Sequence, residues 1–251
     1  MRKPLFLLTL IPLTASCSGF PISREEALGV LDNIEASSQS VSATSYTATR
    51  DTYQNNEKTT VVSIYNRDSK FFHTYTIYTK NNGRFEESWK FVMNYEYQTI
   101  NNGVTTKASR DFIFDVSRST TPSGINAEDS RKYIVTYELY SDDAWAKYAS
   151  EYENKLKTNL IDALHSSRSL IKDETNTVDL KSLNKSSIYL NCKRSIVGST
   201  TKSSEYELDV QNGRLVSVKN EKSENDKSEL SYKYSTGDVV YPDFETKILI
   251  Q

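Results

Sequence analysis

The chain is poor in the residues on which most enzyme chemistry depends: its 251 residues include two histidines, two cysteines and eight glycines. So few glycines disfavour any fold built on glycine-rich phosphate loops. No Walker loop, Gly-x-Ser-x-Gly elbow, His-Glu-x-x-His helix or EF-hand loop occurs. His73 and His165 lack spaced partners that would complete a metal-ligand set. Both read as structural, His73 in a strand among aromatics and His165 near a helix C-terminus, where a cation interacts favourably with the dipole. The carboxylate pairs Glu86–Glu87 and Asp142–Asp143 are adjacent in sequence, so they point apart or cap a helix. Carboxylates assembled from distant strands leave hydrolysis open, but the expectation is a protein that is not an enzyme, with no cofactor and no metal. Charge of one sign is scarce too. The formal net charge is -2 and the charges are interspersed, which excludes the basic stripe of a nucleic-acid partner.

Long hydrophobic runs are also missing. The longest, Leu5 to Leu13, is broken by Thr9 and Pro12 and is about half the 20 apolar residues a spanning helix needs. It follows the basic flank Met1–Pro4 and leads through small Thr14, Ala15 and Ser16 into Cys17. Charged, then apolar, then small is the order of a secretory signal. A buried core helix is the competing reading, against which Pro12 argues.

The stretch "LTLIPLTASCSG" resembles the lipobox of bacterial lipoproteins, with Ala15 and Ser16 matching and Leu13 one place further out than the family sets it. The resemblance implies a signal peptide over residues 1–16, a lipid on Cys17 and a tether over 17–22. Residues 23–251 then form one domain, anchored to the outer face of a bacterial cell membrane. Cleavage near Ser16 or Ser18 without lipid is the alternative. Lipidation would leave Cys192, in the strand-like "IYLNCKR", unpaired as a small apolar residue; without it the two cysteines could pair.

What the chain does have is tyrosine and phenylalanine, 17 and 9 of them, against two Trp and two Met. Tyrosine suits strands that are half apolar and half wet. "SREEALGVLDNIEAS" opens with a capping box, Ser23 and Glu26, and carries the apolar stripe Leu28, Leu31 and Ile34 of a helix. From Thr44 to about Asp115 the period changes to two. In "SWKFVMNYEYQ", Trp89, Phe91, Met93, Tyr95 and Tyr97 share one face, with Val92 out of phase; in "FFHTYTIYT", Phe71, His73, Tyr75 and Ile77 do the same. Asn-Gly turns at Asn81–Gly83 and Asn101–Gly103 make a meander of strands at 45–53, 59–65, 71–79, 84–100 and 104–115. A loop follows over 117–130, then a strand in "KYIVTYELY". The 141–167 segment predicts a long helix capped by Asp142 or Asp143, with Trp145, Tyr148, Tyr152, Leu156 and Leu160 on its stripe. A polar connection spans 172–185. Strands at 187–193, 204–210, 214–220 and 228–234 come after it, with a Gln211–Gly213 turn, and Pro242 marks an edge or strand start.

This order predicts an α+β fold: a large curled antiparallel sheet, a half-barrel, with the N-terminal and long central helices packed on its concave face. The aromatic face of the meander is the expected partner of the central helix. The tail "YELDVQNGRLVSVKNEKSENDKSELSYKYSTGDVVYPDF" resembles the end of the half-barrels shared by the carrier LolA and mycobacterial lipoproteins of the LppX type. That resemblance implies an apolar ligand, such as a lipid, held between sheet and helices. The expected lining is Phe71, Tyr75, Trp89, Phe91, Met93, Tyr95, Tyr97, Trp145, Tyr148 and Tyr152. The alternative is a surface lipoprotein with a filled core and no ligand that contacts a protein or glycan partner; under either reading the expected state is a monomer.

Overall fold

A computed structural model describes residues 20–38, 45–55, 57–78, 85–120, 133–174, 177–182, 187–194, 202–209, 214–223, 226–235, 239–246 and 248–250. Cys17, the 1–16 segment and the turns at 81–83 and 211–213 lie outside the described residues. The elements run β1 (Phe20–Pro21), α1 (Arg24–Ser38), β2 (Tyr46–Gln54), β3 (Glu57–Asn66), β4 (Phe71–Tyr78), β5 (Phe85–Asn101), β6 (Val104–Thr120), β7 (Ile134–Leu139), α2 (Asp142–Lys172), β8 (Thr177–Ser182), β9 (Ser187–Arg194), β10 (Lys202–Asp209), β11 (Arg214–Ser223), β12 (Asp226–Lys233) and β13 (Ile248–Ile250). The fold is α+β, as its sequence pattern implies, with one large sheet and two helices among the described residues.

The strands form a single sheet in the order β1-β8-β9-β10-β11-β12-β2-β3-β4-β5-β6-β7, open at both ends, with β13 joining β5 in parallel. Every other pairing among the described residues is antiparallel. The β5–β6 hairpin is in register from Phe85↔Thr120 to Asn101↔Val104. Its two-residue turn, Asn102 at φ 48° and Gly103 at φ 78°, has the left-handed backbone of a type I′ turn, which matches the twist of paired strands. β6 therefore continues through Thr120, into the stretch read from sequence as loop. Likewise β8 occupies part of the expected polar connection, and β1 draws Phe20 and Pro21 of the expected tether into the sheet, where they pair with Ser182 and Lys181.

α1 begins with the expected capping box: the Ser23 Oγ accepts from the Glu26 N–H at 3.1 Å and the Glu26 carboxylate from the Ser23 N–H at 2.7 Å. For α2 the cap is Ser141, whose Oγ accepts from the Ala144 N–H at 3.1 Å. Asp142 and Asp143 instead occupy the first turn, where negative charge complements the dipole. Arg168 of α2 joins Asp32 and Glu35 of α1, each at 2.6 Å.

The sheet has two packed faces. Residues directly paired across strands share a face, so Tyr46, Tyr65, Phe72, Lys90 and Asp115 lie on one. Phe71, His73, Trp89, Phe91, Phe114 and Val116 lie on the other. The first face carries α2. Leu156, Leu160, Ala163, Leu164 and Ile171 of that helix form one core with Tyr46, Ala48, Tyr65, Leu215 and Tyr232, joined by Ala27 and Leu31 of α1. The second face has its own core, in which Met93, Tyr95, Val239 and Phe244 pack on Phe71, Trp89, Phe91, Phe112 and Phe114.

This corrects the expected docking of the central helix. It does not bury against Trp89, Phe91 and Tyr97; it lies on the opposite side of the sheet. The C-terminal segment takes the place expected for it. Phe244 sits 5.3 Å from Phe114 between ring centroids, Tyr241 lies 5.1 Å from Phe91, and Ile248 is buried beside them. The Tyr95 hydroxyl donates to the Thr246 carbonyl at 3.0 Å and so ties this segment down. Residues 239–246 cross the aromatic face without forming a strand, and Pro242 is buried within them.

Candidate functional site

The ten residues expected to line one site fall into two groups with the sheet between them. Phe71, Trp89, Phe91 and Tyr97 are buried in the aromatic core, with Met93 and Tyr95 partly buried against it. Tyr75 joins their face through a 5.3 Å contact with His73. Trp145, Tyr148 and Tyr152 belong to the helix on the other face. Tyr152 stacks on Phe72 at 3.6 Å between centroids. Lys90 Nζ lies 3.8 Å over the Tyr148 ring, and the Tyr148 hydroxyl donates to Glu138 at 2.5 Å. Trp145 is buried beside Tyr148.

A polar network closes one end of the aromatic core. His73 Nε2 meets Glu87 Oε1 at 2.7 Å, and Arg118 reaches Glu87 Oε2 with Nε at 2.7 Å and with its Nη2 at 2.6 Å. Arg118 Nη1 also donates to the Tyr133 hydroxyl at 3.1 Å. Trp89 stacks flat on His73 at 4.8 Å, and its own indole N–H is buried without a partner among the described residues. Burial holds the His73 imidazole below its ordinary pKa, against the opposing pull of Glu87. Exposed His165 lies 3.9 Å from Glu35, outside any cluster. Among the described residues no group of three or more His, Cys, Asp or Glu side chains could hold a metal ion, and no helix is long and apolar enough to cross a membrane.

Open space lies on the helix-bearing face. A groove of about 380 Å³ runs between α2 and strands β2, β11 and β12, with Arg50, Asn159, Asp162, Ser166 and Ser228 among its walls. It continues into a smaller compartment of about 100 Å³ under Tyr46, Val61, Phe72 and Tyr232. The two share Arg50, Asn159 and Leu230. Asn159 is fixed at their junction by donating to the Tyr232 hydroxyl at 2.6 Å. A third groove of about 380 Å³, lined by Thr74, Thr76, Ser88, Ser117 and Ser119, lies on the same face toward β7. The three spaces follow one another along this face as a segmented trough, the walls of the last two meeting where the Thr74 hydroxyl donates to Ser63 at 3.2 Å. Tyr46 and Tyr65 of the sheet and Tyr152 of α2 pack together beside the smaller compartment. Burial drives all three phenols to pKa values above the ordinary tyrosine range. They therefore stay protonated, with the Tyr46 hydroxyl donating to the Tyr152 carbonyl and Tyr65 to Glu153.

No family model matches the chain, and no curated protein matches it either. Among solved structures, a DUF1329 family protein from Desulfovibrio piger ATCC 29098 aligns with 87% of this chain and 96% of its own at 12% identity, with a TM-score of 0.22. A likeness that slight carries no argument about fold or function. The trough must therefore be read from its own side chains.

Sequence reasoning missed the trough because its walls are polar and interleaved with the core. Thr74, Thr76 and Ser88 occupy the polar half of their alternating strands. The available signal was Phe72, an aromatic out of phase with Phe71 and His73, which called for a second packed face.

Proposed function

We propose that the chain is an exported, lipid-anchored binding protein. Its sheet is a half-barrel whose concave face holds the helices, and its ligand lies in the trough between α2 and the sheet. The observation that carries this reading is the trough itself: two grooves of about 380 Å³ on either side of a narrower compartment, each in the size range of ligand sites. The aromatic face opposite, sealed by residues 239–246 and Ile248, serves as core. This favours the surface binding module over the carrier of a whole acyl chain, because the most aromatic part of the trough, at about 100 Å³, is too small for one.

The proposed anchor is a diacylglyceryl group on Cys17. Phe20 and Pro21 are already held in the sheet, so only Ser18 and Gly19 separate the lipidated residue from the domain. Two residues reach about 7 Å at full extension, which sets the domain against the membrane surface. Cys17→Ser tests the anchor: the variant is released into the soluble extracytoplasmic fraction, whereas a variant still sedimenting with membranes overturns it. Thr74→Trp tests the trough: it fills the space between two grooves and abolishes binding while the thermal midpoint holds. Unchanged binding would place the ligand elsewhere.

A further inference from the structure

The linings of the trough's three spaces run in turn from Ile134 on β7 to Val218 and Asn220 on β11, which in the sheet order takes in eight strands. At the usual inter-strand spacing this is about 34 Å. The floor is hydroxylated in register. Ser63, Thr74, Ser88 and Ser117 face one another across β3 to β6, and Thr76 and Ser119 flank Glu86 in the next row. Apart from the Thr74–Ser63 bond, the hydroxyls of Thr76, Ser88, Ser117 and Ser119 make no side-chain hydrogen bond among the described residues. Charges of both signs are interspersed along the walls, Arg50 and Lys155 among Glu86, Asp162 and Glu229.

We infer that the trough takes a linear polyhydroxylated chain, a glycan strand, laid across the β-strands alongside α2. The inference rests on the reading of the trough as the binding site and adds the class of its ligand. Serine and threonine hydroxyls each donate and accept, which matches a ligand whose own groups do both at every unit. Mixed charge along the walls gives no uniform field for a polyanion, whose binding needs clustered cations. An extended peptide gains its affinity by adding main-chain hydrogen bonds at a sheet edge. In the middle of this sheet the main-chain groups are already paired with neighbouring strands, so a chain crossing them meets side chains only. Val61, Phe72 and Leu230 supply apolar ground for the C–H faces of sugar rings.

The test is calorimetric titration of the full anchored chain in phospholipid nanodiscs with maltohexaose, cellohexaose and chitohexaose, each beside its disaccharide. An uncharged Ser/Asn decapeptide serves as the competing probe. The expected result is that one hexasaccharide binds and its disaccharide binds at least about tenfold more weakly. The double variant Ser88→Val/Ser117→Val, with an unchanged thermal midpoint, also loses about tenfold, on the scale of two hydrogen bonds. Decapeptide binding that the same variant removes would overturn the glycan and leave the trough as the site. Saccharide binding untouched by the variant would place the sugar elsewhere and overturn the inference. Failure of every probe to bind would overturn both the ligand class and the trough.

Discussion

Phe71 and Phe72 are consecutive in sequence and serve opposite cores. Phe71 is fully buried against Phe91 and Tyr241, while Phe72 stacks on Tyr152 of α2 on the other face of the sheet. The alternation of a strand makes this unavoidable, since neighbouring side chains point to opposite faces. The two substitutions therefore separate the two cores. Phe71→Ala is expected to cost about 3–5 kcal/mol, the range for a fully buried aromatic, read as a shift in denaturant midpoint. Phe72→Ala costs less, because its ring is only half-buried. Its signature is faster amide exchange in α2, with exchange in β5 and β6 unchanged.

The C-terminal segment acts as the cover of the aromatic core. Ending the chain at residue 238 removes Phe244, Tyr241 and Ile248 from Phe91 and Phe114. The truncated chain is expected to bind the apolar dye ANS strongly and to unfold at lower denaturant. A truncated chain that neither gains dye fluorescence nor loses stability would show that the segment does not seal this face.

His73 gives stability a pH dependence whose sign is fixed by its environment. Burial lowers the folded-state pKa below the ordinary 6.5, Glu87 pulls it up, and Arg118 adds to the lowering. The unfolded chain therefore takes up a proton at higher pH than the folded one. The contribution is present in full above the ordinary imidazole pKa and is lost as pH falls toward the lower folded value. His73→Gln removes this slope. Between about pH 7.5 and about pH 5.5 the wild type loses more stability than the variant, as measured by urea midpoints. Equal losses in both would show that the imidazole titrates alike in the two states.

Gly103 holds the β5–β6 turn at φ 78°, next to Asn102 at φ 48°. No atom stands within 4 Å of where a Cβ would be added, so Gly103→Ala meets backbone strain alone. The expected cost is about 1–2 kcal/mol, read as a lowered thermal midpoint with the far-ultraviolet spectrum unchanged.

Much of this fold is legible in the sequence. Period-two alternation marks β2 to β6, Asn101–Gly103 marks the β5–β6 turn, and Ser23 with Glu26 marks the start of α1. The choice of partner between faces is not legible. An apolar helix stripe and an apolar sheet face each announce burial, but neither says against what, and the short "VVYPDFETKILI" segment competes successfully for the face bearing Phe91. β8 escaped because "TVDLKS" offers only Val178 and Leu180 between polar residues, too short a pattern to stand out from loop. The trough was illegible for a related reason. Hydroxyls at Thr74, Ser88 and Ser117 become a row only once the register of three strands is known.

The most direct measurement is a crystal structure of the chain purified from its native source without refolding, examined for co-purified ligand. Electron density is expected in the trough, beside Asn159 of α2 and over the row from Ser63 to Ser117. Density wedged instead between Phe91 and a displaced Phe244 would contradict it, because the aromatic face would then be the binding surface and the C-terminal segment its lid.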